Sequence, residues 1–146
     1  MAKRRKLPSR EHVFITSLMY HGFRFTRQRR NIKFKRGYII PATSREDANG
    51  IDVWVKMPKD DRILPVQVTQ RGVRMYRKYR RPSGEKLDDF IERSERRIRA
   101  KQRRCYKHGI AFALVRDFEG KTTNPQIAWG DIKALRYAIA HLKRWL

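Results

Sequence analysis

Gly50-Ile51-Asp52-Val53-Trp54-Val55-Lys56-Met57, followed after a polar turn by Ile63-Leu64-Pro65-Val66-Gln67-Val68-Thr69-Gln70, decides how this chain is read. The first run alternates with period two. Ile51, Val53, Val55 and Met57 share one face, and Asp52, Trp54 and Lys56 share the other, which is the signature of a strand rather than a helix. In the second run Leu64, Val66 and Val68 point one way and Gln67 and Thr69 the other. Asn49-Gly50 marks a turn before the first strand. Pro65 lacks the backbone donor of a central ladder position, so the start of the second strand is expected to be unpaired or at an edge.

Outward from this pair, the spacing predicts a helix from Ser9 to about Tyr20, with Val13, Phe14, Ile15, Leu18 and Met19 on its apolar side and Gly22 at its exit. Phe23 to Ile40 reads as a twisted hairpin or two short strands with a basic connection. A long helix is expected from Lys86 to Tyr106, its acids at the start and its bases at the end, both complementing the helix dipole. Ile110 to Val115 reads as a buried strand, and Asn124 to Trp129 as one more short strand. Asp131 opens a last helix with Ile132, Leu135, Ile139 and Leu142 inside. The order of elements implies an α/β sandwich, not a helical bundle. Residues 1–8 form a basic arm and residues 9–146 a single domain.

The 146 residues carry 37 Lys and Arg against 14 Asp and Glu, a formal charge of +23. A field of that size opposes compaction unless a polyanion or salt screens it. An ordinary metabolic enzyme is poorly supported, and RNA or structured DNA is the expected partner. No stretch approaches the apolar length of a membrane span. The opening Met1-Ala2-Lys3-Arg4-Arg5-Lys6 lacks the apolar run that would make it a signal peptide. The single cysteine, Cys105, excludes an internal disulfide and a cysteine-built metal site, and fits a cytoplasmic or nucleoid-associated protein. His12, His21, His108 and His141 have no metal-ligand spacing.

The Asp52 and Gln67-Val68-Thr69 segments resemble the core of the PD-(D/E)xK nuclease superfamily, which includes restriction-endonuclease-like proteins and archaeal junction resolvases. The resemblance spans roughly residues 9 to 115. It implies a mixed central sheet flanked by helices, a restriction-endonuclease-like fold. It also implies a Mg2+ site (Mn2+ as substitute) held by carboxylates, and a lysine that positions or activates water. By position, Asp52 matches the metal-binding aspartate and Gln67 the second acidic position. Thr69 stands where the lysine belongs, which is the main departure. Glu11 and Glu46 are candidates for an additional metal-binding acid. Lys56 and Arg71 are candidates to replace the missing cation. Relatives that pair two sites imply a homodimer.

The same residues also have plain structural readings: Asp52 satisfying turn donors, Gln67 and Thr69 as polar positions on a half-solvated strand, and Glu11 favouring a helix N-terminus. The basic clusters are Arg27, Arg29, Arg30, Lys33, Lys35 and Arg36, then Arg71, Arg74, Arg77, Lys78, Arg80 and Arg81. Arginine's planar fork suits bidentate phosphate contacts. Tyr76, Tyr79 and Trp54 are candidates to stack on unpaired bases. Three functions follow. The first is a nucleic-acid-binding protein on a nuclease-like fold with weak or lost catalysis. The second is a Mg2+-dependent structure-specific endonuclease. The third is an RNA-binding component of a ribonucleoprotein.

Overall fold

A computed structural model describes residues 9–29, 35–71, 86–116 and 122–145. In chain order the elements are α1 (Ser9–Tyr20), β1 (Arg24–Phe25), β2 (Tyr38–Pro41), α2 (Ser44–Ala48), β3 (Val53–Lys56), β4 (Ile63–Arg71), α3 (Leu87–Lys107), β5 (Ala111–Arg116) and α4 (Pro125–Trp145). The five strands form one open mixed sheet in the order β1-β2-β3-β4-β5. β2, β3 and β4 are an antiparallel meander, and the two outer pairings are parallel. Parallel pairing of β4 with β5 needs a crossover, and α3 supplies it. The α/β class expected from the sequence is therefore present.

The alternation of β3 and β4 holds in space. Val53 pairs with Val66 and Val55 with Leu64, while Val66 and Val68 pair with Ala111 and Ala113 across to β5. All of these side chains are buried, so one sheet face is continuously apolar. Phe14 and Leu18 of α1 and Ile132, Leu135 and Leu142 of α4 are fully buried in the same core. α4 lies along β5, and buried alanines on both elements (Ala111, Ala113, Ala128, Ala138) permit that close approach. Pairing of β4 with β5 begins only at Val66, so Pro65 sits beside β3 alone, as its missing N–H requires.

A polar clasp fixes α1 against α4. The Ser17 hydroxyl donates to Asp131 Oδ2 at 2.6 Å, and the Arg10 guanidinium pairs with Asp131 Oδ1. Asp131 and Ser17 are buried, and burial pushes the Asp131 carboxyl up while Arg10 pulls it down. A buried carboxylate paired and hydrogen-bonded in this way holds register; removing one partner strands the other.

Three expectations are corrected. Of the two alternatives for residues 23–40, two short strands are present and the hairpin is not, because β1 and β2 run parallel, Arg24 opposite Tyr38 and Phe25 opposite Ile39. Asn124 to Trp129 is not a strand but the first turns of α4. The Asn124 side chain accepts from the Ile127 N–H at 2.9 Å, and Pro125 opens the helix where a missing N–H costs nothing. Met19, placed on the apolar side of α1, is half exposed. The helix α2 between β2 and β3 was not foreseen. It is held by a capping box, in which the Thr43 hydroxyl accepts from the Glu46 N–H and the Glu46 carboxylate accepts from the Thr43 N–H.

Candidate metal centre and basic surfaces

Asp52 immediately precedes β3, where Gly50 at φ +89° lets the chain turn out of α2. Its backbone N–H donates to Val66 O at 2.9 Å, and its Oδ2 accepts from the Val68 N–H at 2.7 Å. The aspartate is thereby clamped to β4 on either side of Gln67. Glu11 from the first turn of α1 and Asp47 from α2 converge on it, with ligand oxygens of all three within 4.8 Å of one another. Glu11 and Asp52 are buried, while Asp47 is exposed and opens the cluster to solvent.

Burial is the main cause that pushes the Asp52 carboxyl up to about 8; the negative charge of Glu11 and hydrogen bonding to Glu11 and Asp47 add to it, and the Val68 N–H opposes it. Packed carboxylates that resist ionisation together are relieved by a cation. The three carboxylates offer hard oxygen atoms of the kind that divalent cations take, and the Gln67 side chain is buried alongside.

The structure sorts the sequence-derived candidates. Asp52 and Glu11 come together as expected. Gln67 is adjacent: its amide donates to Val68 O at 3.2 Å, and its Oε1 lies 3.9 Å from where a Cβ on Gly50 would stand. The Thr69 hydroxyl oxygen is buried and makes no hydrogen bond among the described residues. Glu46 is not in the cluster. Arg29 takes its carboxylate at 2.6 and 2.8 Å and holds it down to about 2, and the same carboxylate caps α2. Lys56 is not in the cluster either. It ends β3, about 13 Å along the strand from Asp52, and its buried ammonium donates to Arg36 O at 3.2 Å and Met57 O at 3.4 Å. Sharing a strand face did not make these two residues neighbours. Asp47 is the acid that sequence reading missed.

Of the basic candidates, Arg27, Lys35 and Arg36 are exposed, with Arg27 over the Phe25 ring at 5.5 Å. Arg29 is largely committed to Glu46 and Pro41 O. Arg30, Lys33, Arg74, Arg77, Lys78, Arg80 and Arg81, with Tyr76, Tyr79 and the arm 1–8, lie outside the described residues, as does the Arg71 side chain. Trp54 is half-buried, with its indole N–H enclosed. A further basic surface was not foreseen beyond the helix-end bases Arg103, Arg104 and Lys107, read as dipole complement: with them, Arg96, Arg97 and Arg99 of α3 are all exposed. Positions 96, 99, 103 and 107 recur at helical spacing on one side, and that was the available signal.

Cys105 is buried, as expected of a core residue. Among the described residues, no helix is long and apolar enough to cross a membrane. No family model, no curated protein and no solved structure matches this chain.

Proposed function

We propose that this chain is a nucleic-acid-binding protein that engages phosphate backbones on a nuclease-like scaffold with weak hydrolytic capacity. The observation that carries the reading is the charge of +23, together with the exposed cations of α3. Guanidinium groups on that helix surface pair with phosphate oxygens and release condensed counterions, a contribution that does not depend on base sequence. Thr69 in place of a lysine, and Lys56 turned away to backbone carbonyls, support weak catalysis. The test is nucleic acid recovered with the purified protein, digested separately by RNase and DNase. Protein freed of bound polymer that rebinds neither RNA nor DNA at low salt would remove this reading.

A second reading, Mg2+-dependent phosphodiester hydrolysis, is favoured by the Glu11–Asp47–Asp52 cluster. These three carboxylates would hold the ion, with Gln67 beside them. Bound there, the metal supplies a Lewis acid and lowers the pKa of a coordinated water. Glu11 and Asp52 fix the donor oxygens through burial and the Val68 N–H, and exposed Asp47 leaves the cluster open towards solvent. Cleavage of branched, duplex or single-stranded substrate that requires Mg2+ and disappears in Asp52→Ala supports it; cleavage unaffected by that substitution excludes the site.

A further inference from the structure

α3, β5 and α4 enclose a groove of about 800 Å³ that none of the sequence-derived sites includes. Its floor is Phe112 and Leu114 of β5, and its wall carries Trp129 and Tyr137 of α4. Those two rings are 51% and 67% exposed, on a chain that buries most of its large apolar side chains. They stand eight residues apart, about 12 Å along the helix axis. Between them Lys133 holds its ammonium 5.3 Å from the centre of the Trp129 ring, and Arg116 at the end of β5 supplies a second cation. Among the described residues, the acid lining the groove is Asp131, whose carboxylate is already taken by Arg10 and Ser17. Tyr137 stacks on His141 at 6.0 Å between ring centres, and Trp129 has Lys133 and His21 beside it, yet both rings stay more than half exposed, so the lining presents positive charge next to partly open rings.

We infer that this groove binds unpaired nucleotides, with bases stacked on Trp129 and Tyr137 and phosphates on Lys133 and Arg116. The inference rests on the nucleic-acid reading above and specifies which form of the polymer this groove takes. Aromatic rings interleaved with cations are the chemistry of sequence-tolerant single-strand binding. Bases inside a duplex have their faces covered by neighbours, so such a groove selects strands that are open. An acidic peptide would use the cations and leave the rings idle. The groove also lies beside the strand that clamps Asp52. Phe112 and Leu114 are the register partners of Gln67 and Thr69, so its floor lies one strand spacing, about 4.8 Å, from the β4 residues beside Asp52.

The test compares a labelled oligothymidine with the corresponding dT·dA duplex by fluorescence anisotropy at one low salt concentration. Trp129→Ala and Tyr137→Ala are each expected to weaken oligothymidine binding roughly tenfold, with duplex binding little changed. Trp129→Phe, which keeps a ring, is expected to retain most of the affinity. Both wild-type rings are largely exposed, so circular dichroism should report an intact fold in every variant. Unchanged oligothymidine affinity in both alanine variants overturns the groove assignment while leaving duplex binding, and the reading beneath it, in place. Wild-type protein that binds neither polymer removes that underlying reading instead. Polyglutamate that binds as tightly as oligothymidine and loses the same factor in Trp129→Ala also overturns the assignment.

Discussion

Replacing Asp52 by asparagine should stabilise this protein at alkaline pH while abolishing its response to divalent metal. Asp52 is only 7% exposed, and burial first, then Glu11, lifts its carboxyl to about 8, against about 3.9 in an unfolded chain. Between those values the folded protein keeps a proton that the unfolded chain releases. Stability must therefore fall as pH rises through that window and level off above the folded value, by at most about 1.4 kcal/mol per pH unit. The whole window sets a ceiling of roughly 6 kcal/mol. Local relaxation and the exposed side of the cluster at Asp47 reduce that, and we expect on the order of 2 kcal/mol at pH 8, or about 6 °C in Tm. Asparagine keeps an oxygen to accept the Val68 N–H and brings an amide that donates towards Glu11 and Asp47. The assay is denaturant unfolding in EDTA at several pH values, then with Mg2+. Wild type should gain about 2.7 kcal/mol when Mg2+ exceeds its dissociation constant a hundredfold, and the variant nothing. Parallel pH curves for the two proteins, or a variant less stable at every pH, would refute the reasoning.

Gly37→Ala places a Cβ 2.6 Å from the Phe23 ring, so thermal unfolding should show a loss of about 1–3 kcal/mol; an unchanged Tm would mean that the β1–β2 end is loosely packed. Lys56→Met should leave Mg2+-dependent stabilisation unchanged in the same unfolding assay, because the ammonium serves Arg36 O and Met57 O, not the carboxylates; loss of the metal response would return Lys56 to the site. Thr69→Lys puts a cation where a buried hydroxyl has no hydrogen bond among the described residues, and Mg2+-dependent nicking of plasmid should rise by about tenfold or more if the missing base limits catalysis. An unaltered rate would show that the cluster does not lack that group.

The parts of this fold that could be read in advance are those whose periodicity is long enough to leave no choice. β3 and β4 alternate Val53, Val55, Leu64, Val66 and Val68 against polar partners, and their register follows. α3 declares itself through length and charge ordering. α2 could not be read that way, since five residues, Ser-Arg-Glu-Asp-Ala, have no period and bury nothing; its one signal was Thr43 three residues before Glu46. Missing α2 meant missing Asp47 and giving Glu46 a ligand's role when Arg29 and the helix cap already hold it. Asn124 to Trp129 looked like a short strand ahead of Gly130, but the Asn124 cap and the helix that runs on to Trp145 outweigh that local pattern. The parallel pairing of β1 with β2 depends on a connection whose path no local pattern encodes. The joining of Glu11 to Asp52 was legible only as a candidate, because two acids far apart in sequence meet through tertiary packing alone.

The central claim is that phosphate neutralisation dominates what this chain binds, and the salt dependence of duplex affinity tests it most directly. Contact by the six exposed cations of α3 alone, Arg96, Arg97, Arg99, Arg103, Arg104 and Lys107, should cost roughly a thousandfold in affinity between about 50 and 200 mM salt. A plot of log affinity against log salt concentration with a slope near −5 or steeper is the expected result. A slope near zero, or no binding at the lowest salt, would contradict the account.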